Sequence, residues 1–191
     1  MSSERQHDAA SGRIQVSRRH FLKLSLAAAT SLAVTPAFAK RHQLGEKALS
    51  FYNLHTGETL RTAYWAQGRY LREGLRDINR ILRDFRTDEV ETIDTRLIDL
   101  LYSLQQRTGS RKPFNVISGY RSPATNAMLN ARSIGVAKKS LHMQGMAIDV
   151  SLPDRSLHDL RRAALDMGRG GVGYYPASDF VHLDVGKVRS W

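Results

Sequence analysis

The chain has 191 residues, no cysteine, 29 Lys and Arg against 18 Asp and Glu, and a formal net charge of +11. With 41% hydrophobic and 25% charged residues its balance is that of an ordinary globular protein, which excludes collagen-like, low-complexity and disulfide-framework chains. The absence of thiols also excludes thiolate zinc sites, iron–sulfur clusters and cysteine nucleophiles, so any metal must be held by His, Asp or Glu.

Residues 1–39 read as an export signal. An uncharged run of 16 residues, Leu24 to Ala39, is too short to span a bilayer. It ends in the small-x-small cleavage pattern Ala37-Phe38-Ala39. Immediately before it, Ser17-Arg18-Arg19-His20-Phe21-Leu22-Lys23 resembles the twin-arginine signal. Export by the twin-arginine translocase carries folded proteins, so a metal could be loaded before export. No cysteine follows the run, which excludes a lipid anchor there, while an uncleaved signal would leave the protein tethered to the membrane. Residues 1–39 hold five basic and two acidic residues, which leaves +8 on residues 40–191. Those 152 residues suffice for one domain with a core that needs no disulfide staples. Outside the cytoplasm a basic surface suits anionic lipid headgroups or an acidic wall polymer better than nucleic acid, for which no motif is present; it equally serves solubility alone.

The exported part alternates strands and helices. Residues 48–54 and 58–65 flank His55-Thr56-Gly57-Glu58 and predict a β-hairpin. Leu71, Leu75, Ile78, Ile81, Leu82 and Phe85 fall at helical spacing. Asp94 caps a second predicted helix that ends near Gly109. Phe114 to Ser118 predicts a buried strand, Pro123 opens a helix to about Ala131, and Met146 to Leu152 alternates as a strand. Ser156 caps a helix to Met167, and Val172–Tyr174 and Phe180–Val185 complete a pair of strands. The pattern predicts an α+β fold, a small antiparallel sheet flanked by helices on one side. The glycines at 168, 170, 171 and 173 lack the Lys-Ser/Thr of a phosphate loop and precede a strand, so they read as a flexible approach to it.

Chemistry concentrates between residues 119 and 184. Of seven histidines, His7 and His20 leave with the signal, and His42, His55 and His158 read as exposed polar residues. In Ser140-Leu141-His142-Met143-Gln144-Gly145-Met146-Ala147-Ile148-Asp149, a loop histidine precedes a strand aspartate by seven residues. In Asp179-Phe180-Val181-His182-Leu183-Asp184, alternation puts Phe180, His182 and Asp184 on one strand face, with Asp179 in the turn before it. Three protein ligands with one open position describe a catalytic zinc rather than a structural one. A Gly-x-Ser-x-Gly elbow is absent, and two-carboxylate glycosidase chemistry would leave both histidines without a task.

Ser-x-His-x-x-Gly-x-Ala-x-Asp, an acidic residue three before a later His, and Ser118-Gly119-Tyr120-Arg121-Ser122 together resemble the zinc D-Ala-D-Ala peptidases and their hedgehog-like relatives. Asn53 to Glu58 and Gly171 to Pro176 extend the resemblance to the exported cell-wall branch typified by murein endopeptidase K, over nearly all of residues 40–191. The resemblance implies a hedgehog-like fold with the zinc at the sheet, and peptidoglycan as substrate in the periplasm or cell envelope. It implies one zinc on His142, Asp149 and His182, Asp179 as general base where most relatives carry glutamate, and Arg121 as the oxyanion's partner. Ser140 would touch substrate or organise its loop, and Asp184 would orient a ligating imidazole. Aspartate at 179 is one methylene short, so either the turn shifts to compensate or Asp184 shares its role.

The residues leave alternatives open. The same fold could make a DD- or LD-carboxypeptidase, or a non-catalytic zinc-containing module that binds the wall. An anchored peripheral membrane protein is a third class. Manganese or iron could occupy the same ligand set.

Overall fold

The computed structural model describes residues 45–132 and 136–191. The signal reading of residues 1–39, the boundary at residue 40 and His42 lie outside them. Fourteen elements follow one another: β1 (Lys47–Asn53), β2 (Thr59–Ala66), β3 (Arg69–Tyr70), α1 (Arg72–Ile81), α2 (Thr95–Thr108), β4 (Phe114–Ser118), α3 (Pro123–Arg132), a 3₁₀ turn (Leu141–Gln144), β5 (Ala147–Ser151), α4 (Leu157–Asp166), β6 (Gly171–Tyr175), a second 3₁₀ turn (Pro176–Ser178), β7 (Phe180–Asp184) and β8 (Arg189–Ser190).

Among the described residues the eight strands form one sheet in the order β3-β2-β1-β4-β5-β7-β6-β8. It is mixed rather than wholly antiparallel as the sequence predicted, and larger. β1 pairs with β4 in parallel, and β6 with β8. The first parallel pair arises because α1 and α2 stand between β2 and β4, so the chain returns beside β1 running in the same direction. The second arises because the turn after β7 carries the chain to the far side of β6.

Alternation divides the strands between two faces. Leu49 and Phe51 of β1, Phe114 and Val116 of β4, and Ile148 and Val150 of β5 are buried and point one way. Against them pack Ile78 and Ile81 from α1, Leu97, Ile98 and Leu101 from α2, and Leu160 from α4. The buried residues of α3 are instead polar, Thr125 and Asn126. At the sheet's far end Asp99 of α2 ties three strands down, accepting hydrogen bonds from Lys47 (3.0 Å), Tyr64 (2.9 Å) and Tyr70 (2.6 Å).

The caps fall where the sequence puts them. Asp94 accepts the Arg96 N–H, Ser156 accepts the Asp159 N–H, and α2 ends at a left-handed Gly109. α1, however, stops at Ile81 rather than Phe85. The carbonyls needed for another turn are taken by distant groups: Asn53 Nδ2 donates to the Ile81 oxygen at 3.1 Å, and the Tyr120 N–H donates to that of Leu82 at 2.7 Å. Arg83, freed from the helix, pairs with Glu58 and Asp88, and Phe85 stacks on His55 with centroids 3.8 Å apart.

Candidate active site

The opposite face of the same strands carries the polar cluster. Asp149 of β5 stands directly across from His182 of β7, which stands across from Gly173 of β6. His142 reaches the pair from the first 3₁₀ turn, where the Ser140 side chain accepts the His142 N–H at 3.3 Å. That turn closes at Gly145 with φ 64°, where a Cβ would collide with the Thr92 carbonyl. Glycine is therefore required at this position.

Three potential ligand atoms converge. His142 Nε2 lies 3.2 Å from His182 Nδ1 and 3.3 Å from Asp149 Oδ1, which lies 2.8 Å from His182 Nδ1. The outer nitrogens are committed elsewhere: His142 Nδ1–H donates to the Gly119 carbonyl at 2.7 Å, and His182 Nε2–H donates to Asp184 Oδ2 at 3.1 Å. With those protons outside, the inner nitrogens present lone pairs toward a carboxylate. Three electron-rich atoms so close together call for a shared proton or a metal cation between them. Zinc–nitrogen distances of 2.0–2.1 Å in a tetrahedron put neighbouring ligand atoms about 3.3 Å apart, close to the spacing seen. The donor set fits a metal ion, and these residues are the His/Asp/Glu cluster found among the described residues.

Charge at the cluster follows from the same contacts. Burial would raise the Asp149 pKa, but the His142 and His182 imidazoles outweigh it and hold the carboxyl well below the ordinary range. Burial works to lower the His182 pKa, yet with a carboxylate at each ring nitrogen the hydrogen bonds to Asp149 and Asp184 raise it, so a proton on Nδ1 is what a bound metal would displace. Asp184 is fully buried and saturated: it also accepts the Gly171 and Gly186 N–H groups and the Arg189 guanidinium (Nη2 at 2.6 Å).

Arg121 lies on the loop after β4, and three contacts fix that loop. The Arg121 N–H donates to the His142 carbonyl (3.2 Å), the Tyr120 N–H to that of Leu82, and the Ser122 N–H to the buried carboxylate of Asp84 (2.8 Å). Its guanidinium stands 3.6 Å from Asp149 Oδ2, and its buried Nε–H has no partner among the described residues. Burial lowers its pKa, with Asp149 acting the other way. A half-open cleft of about 320 Å³ exposes Arg121, His142, Asp149 and His182 together, with Ser140 on its rim.

The structure thus brings six of the seven candidate residues into contact and leaves one apart. Asp179 is exposed, in a left-handed conformation with φ 53° after the second 3₁₀ turn. Its carboxylate has no hydrogen bond to His182 or Arg121, and Phe180 rather than Asp179 lines the cleft. The glycine-rich run is also not the flexible approach that the sequence suggested. Gly171 and Gly173 sit on the site face of β6, where Cβ atoms would collide with Asp184 and Arg189 at one and meet the Trp191 indole at 2.7 Å at the other. Tyr175, Arg189 and Trp191, which sequence reasoning passed over, complete the cleft wall. The signal for them was there: two missing side chains opposite Asp184 and His182 need something to fill the space.

The chain is similar to proteins already known. The family model for peptidoglycan L,D-endopeptidase MepK matches residues 41–191. Peptidoglycan L,D-endopeptidase MepK of Escherichia coli K12 is 44% identical over 180 residues, covering 94% of this chain and 99% of that one. The protein of the same name from Shigella flexneri matches equally. A probable peptidoglycan L,D-endopeptidase MepK of Haemophilus influenzae is 39% identical over 146 residues, 76% of this chain and 78% of the other.

Proposed function

The chain belongs to the peptidoglycan L,D-endopeptidase MepK family, and on that premise we propose that it is a zinc-dependent endopeptidase that cuts peptide crosslinks between peptidoglycan stem peptides. The bond would be an L,D amide, as the relatives' names state. The observation that carries this reading is the convergence of His142 Nε2, Asp149 Oδ1 and His182 Nδ1 with their outer protons committed elsewhere.

His142, Asp149 and His182 would hold the zinc. When bound, zinc supplies a Lewis acid and an acidified water at neutral pH. Arg121, anchored through its backbone to the His142 carbonyl, turns its fork toward the cleft and stabilises the scissile oxygen as it becomes anionic. Asp184 fixes the tautomer and ring orientation of His182. Its lone pairs are already taken, so it is ill suited to carry a proton. Asp179 remains the candidate base, taking a proton from the attacking water and passing it to the leaving amine; its place in the turn before β7 supports this role, provided the turn swings inward over substrate. Ser140 would shape the rim that receives substrate.

The mixed sheet with its polar cluster on one face supports the hedgehog- and D-Ala-D-Ala-peptidase-like architecture. We infer further that the enzyme acts in the periplasm or cell envelope, delivered there by the twin-arginine translocase through residues 1–39, with a membrane tether only if that segment is retained. No helix among the described residues is long and apolar enough to cross a membrane.

Digestion of purified crosslinked muropeptides, with metal content measured on the same sample, tests the reading. Wild type should release monomers and hold about one zinc per chain, and His182→Ala should do neither. Asp179→Ala should keep its metal and lose cleavage. Metal retained by wild type without cleavage of any crosslink would leave a wall-binding module instead, and release of terminal residues alone would leave a carboxypeptidase.

A further inference from the structure

Beside the cluster, the side chains of Tyr175 and Trp191 meet. Trp191 extends the backbone pairing of β8: its N–H donates to the Val172 carbonyl at 3.2 Å and its carbonyl accepts the Tyr174 N–H at 3.0 Å. The indole lies over the space left by Gly173, 5.3 Å from the His182 ring. From there Nε1–H donates to the Tyr175 hydroxyl oxygen at 2.8 Å. Tyr175 also stacks on Phe180, with centroids 4.6 Å apart and planes 20° from parallel. Its ring is therefore held from two sides.

The choice of partner matters. An indole N–H can only donate. It occupies a lone pair of the phenol oxygen and cannot take the phenol's proton, and no other group among the described residues accepts that proton. Tyr175 lines the same cleft as Arg121, His142 and His182. Arg121 itself stands 3.6 Å from Asp149, which dilutes its field. A neutral donor in the same cleft would add what a partly neutralised guanidinium does not supply.

We propose that Tyr175 is a catalytic residue of the amide hydrolysis, donating its phenolic hydrogen to the scissile carbonyl oxygen as that oxygen becomes anionic, and that Trp191 is the positioning residue that aims it. This deepens the peptidase reading and rests on it. No proton changes hands; the hydroxyl contributes a hydrogen bond that strengthens with the charge on the oxygen.

The test uses the full chain and the variants Tyr175→Phe, Trp191→Phe and the double variant. Each is measured for kcat and KM on a defined crosslinked muropeptide, metal content and thermal midpoint. Affinity is measured for a phosphinate analogue of the scissile amide and for the cleaved product. Tyr175→Phe should lower kcat by about 10²-fold, leave KM, metal content and product affinity within about twofold, and weaken the phosphinate by the factor lost from kcat/KM. Trp191→Phe, which keeps a ring and loses the N–H, should lower kcat several-fold, and the double variant should be no slower than Tyr175→Phe alone. Wild-type kcat in Tyr175→Phe, or a raised KM with kcat intact, overturns the catalytic role. Additive losses in the double variant overturn the positioning role of Trp191. Wild type that holds metal and cuts no crosslink overturns the peptidase reading itself, whereas active wild type beside equally active Tyr175→Phe overturns this proposal alone.

Discussion

Asp99 and Asp149 are both surrounded carboxylates, yet their surroundings are opposite in kind. Asp99 faces three donors, the Lys47 ammonium and the hydroxyls of Tyr64 and Tyr70. Every partner brings a proton, so the group is electrostatically complete and serves as a clamp between α2 and β1–β3. Asp149 faces two imidazole nitrogens whose protons point away, toward the Gly119 carbonyl and Asp184. Arg121 stands 3.6 Å from its Oδ2, but Oδ1, which faces the imidazoles, stays incomplete until a proton or a metal arrives. What separates a structural carboxylate from a ligand is thus less its burial than which way its neighbours' hydrogens point.

The contrast can be broken by removing either group. His142→Ala or Asp149→Asn should abolish metal retention and lower crosslink cleavage by 10³-fold or more, an outcome read by metal analysis and muropeptide chromatography; Asp99→Asn should leave both unchanged per folded molecule. Cleavage surviving in Asp149→Asn would refute the assignment of that residue as a ligand. Asp184→Asn tests the outer layer of the same site: losing its grip on His182 should weaken metal affinity by about 10–100-fold, as measured by chelator competition.

Asp99→Ala should act on stability instead. It leaves the buried Tyr64 hydroxyl and Lys47 without their acceptor, at a cost of about 1–3 kcal/mol, visible as a lower urea midpoint at unchanged slope. The smallest effect is in acid. Burial would raise the Asp99 pKa, but the hydrogen bonds from Tyr70, Lys47 and Tyr64 outweigh it and hold it below the ordinary carboxylate value. The unfolded chain therefore binds that proton more readily than the folded one. The stability from Asp99 is complete above about pH 5, and it is lost as pH falls from about 4 through the folded value. The unfolding free-energy gap between wild type and Asp99→Asn should be flat above pH 5 and shrink below pH 4; a gap that widens on acidification would reverse the sign of the argument.

Much of this could be read from the chain. Asp94, Gly109, Pro123 and Ser156 mark helix ends through local hydrogen bonding and backbone preference, which a sequence displays directly. His142, Asp149 and His182 stood out through the motif resemblance, with alternation putting His182 on one strand face with Phe180 and Asp184. What escaped was set by partners far away in sequence. α1 lost its last turn to Asn53 and Tyr120, which take its carbonyls. β8 is two residues long, too short for any periodicity, and its pairing with β6 depends on the sheet already being formed. Asp179 was placed by counting from His182, and neither its left-handed backbone nor its exposure shows in such a count.

The division of β5 between two faces has a consequence for how the protein can change. Positions 148 and 150 feed the helix-packed core, and position 149 feeds the candidate metal cluster, within one run of consecutive codons. A library randomised across this strand and sorted first for yield, then for cleavage, would separate into alternating stripes. Polar substitutions at Ile148 and Val150 would vanish at the first sort, while those at Asp149 would pass it and vanish at the second. Neighbouring codons would answer to different selections, and a lineage could drift in one property along this strand while the other stayed fixed.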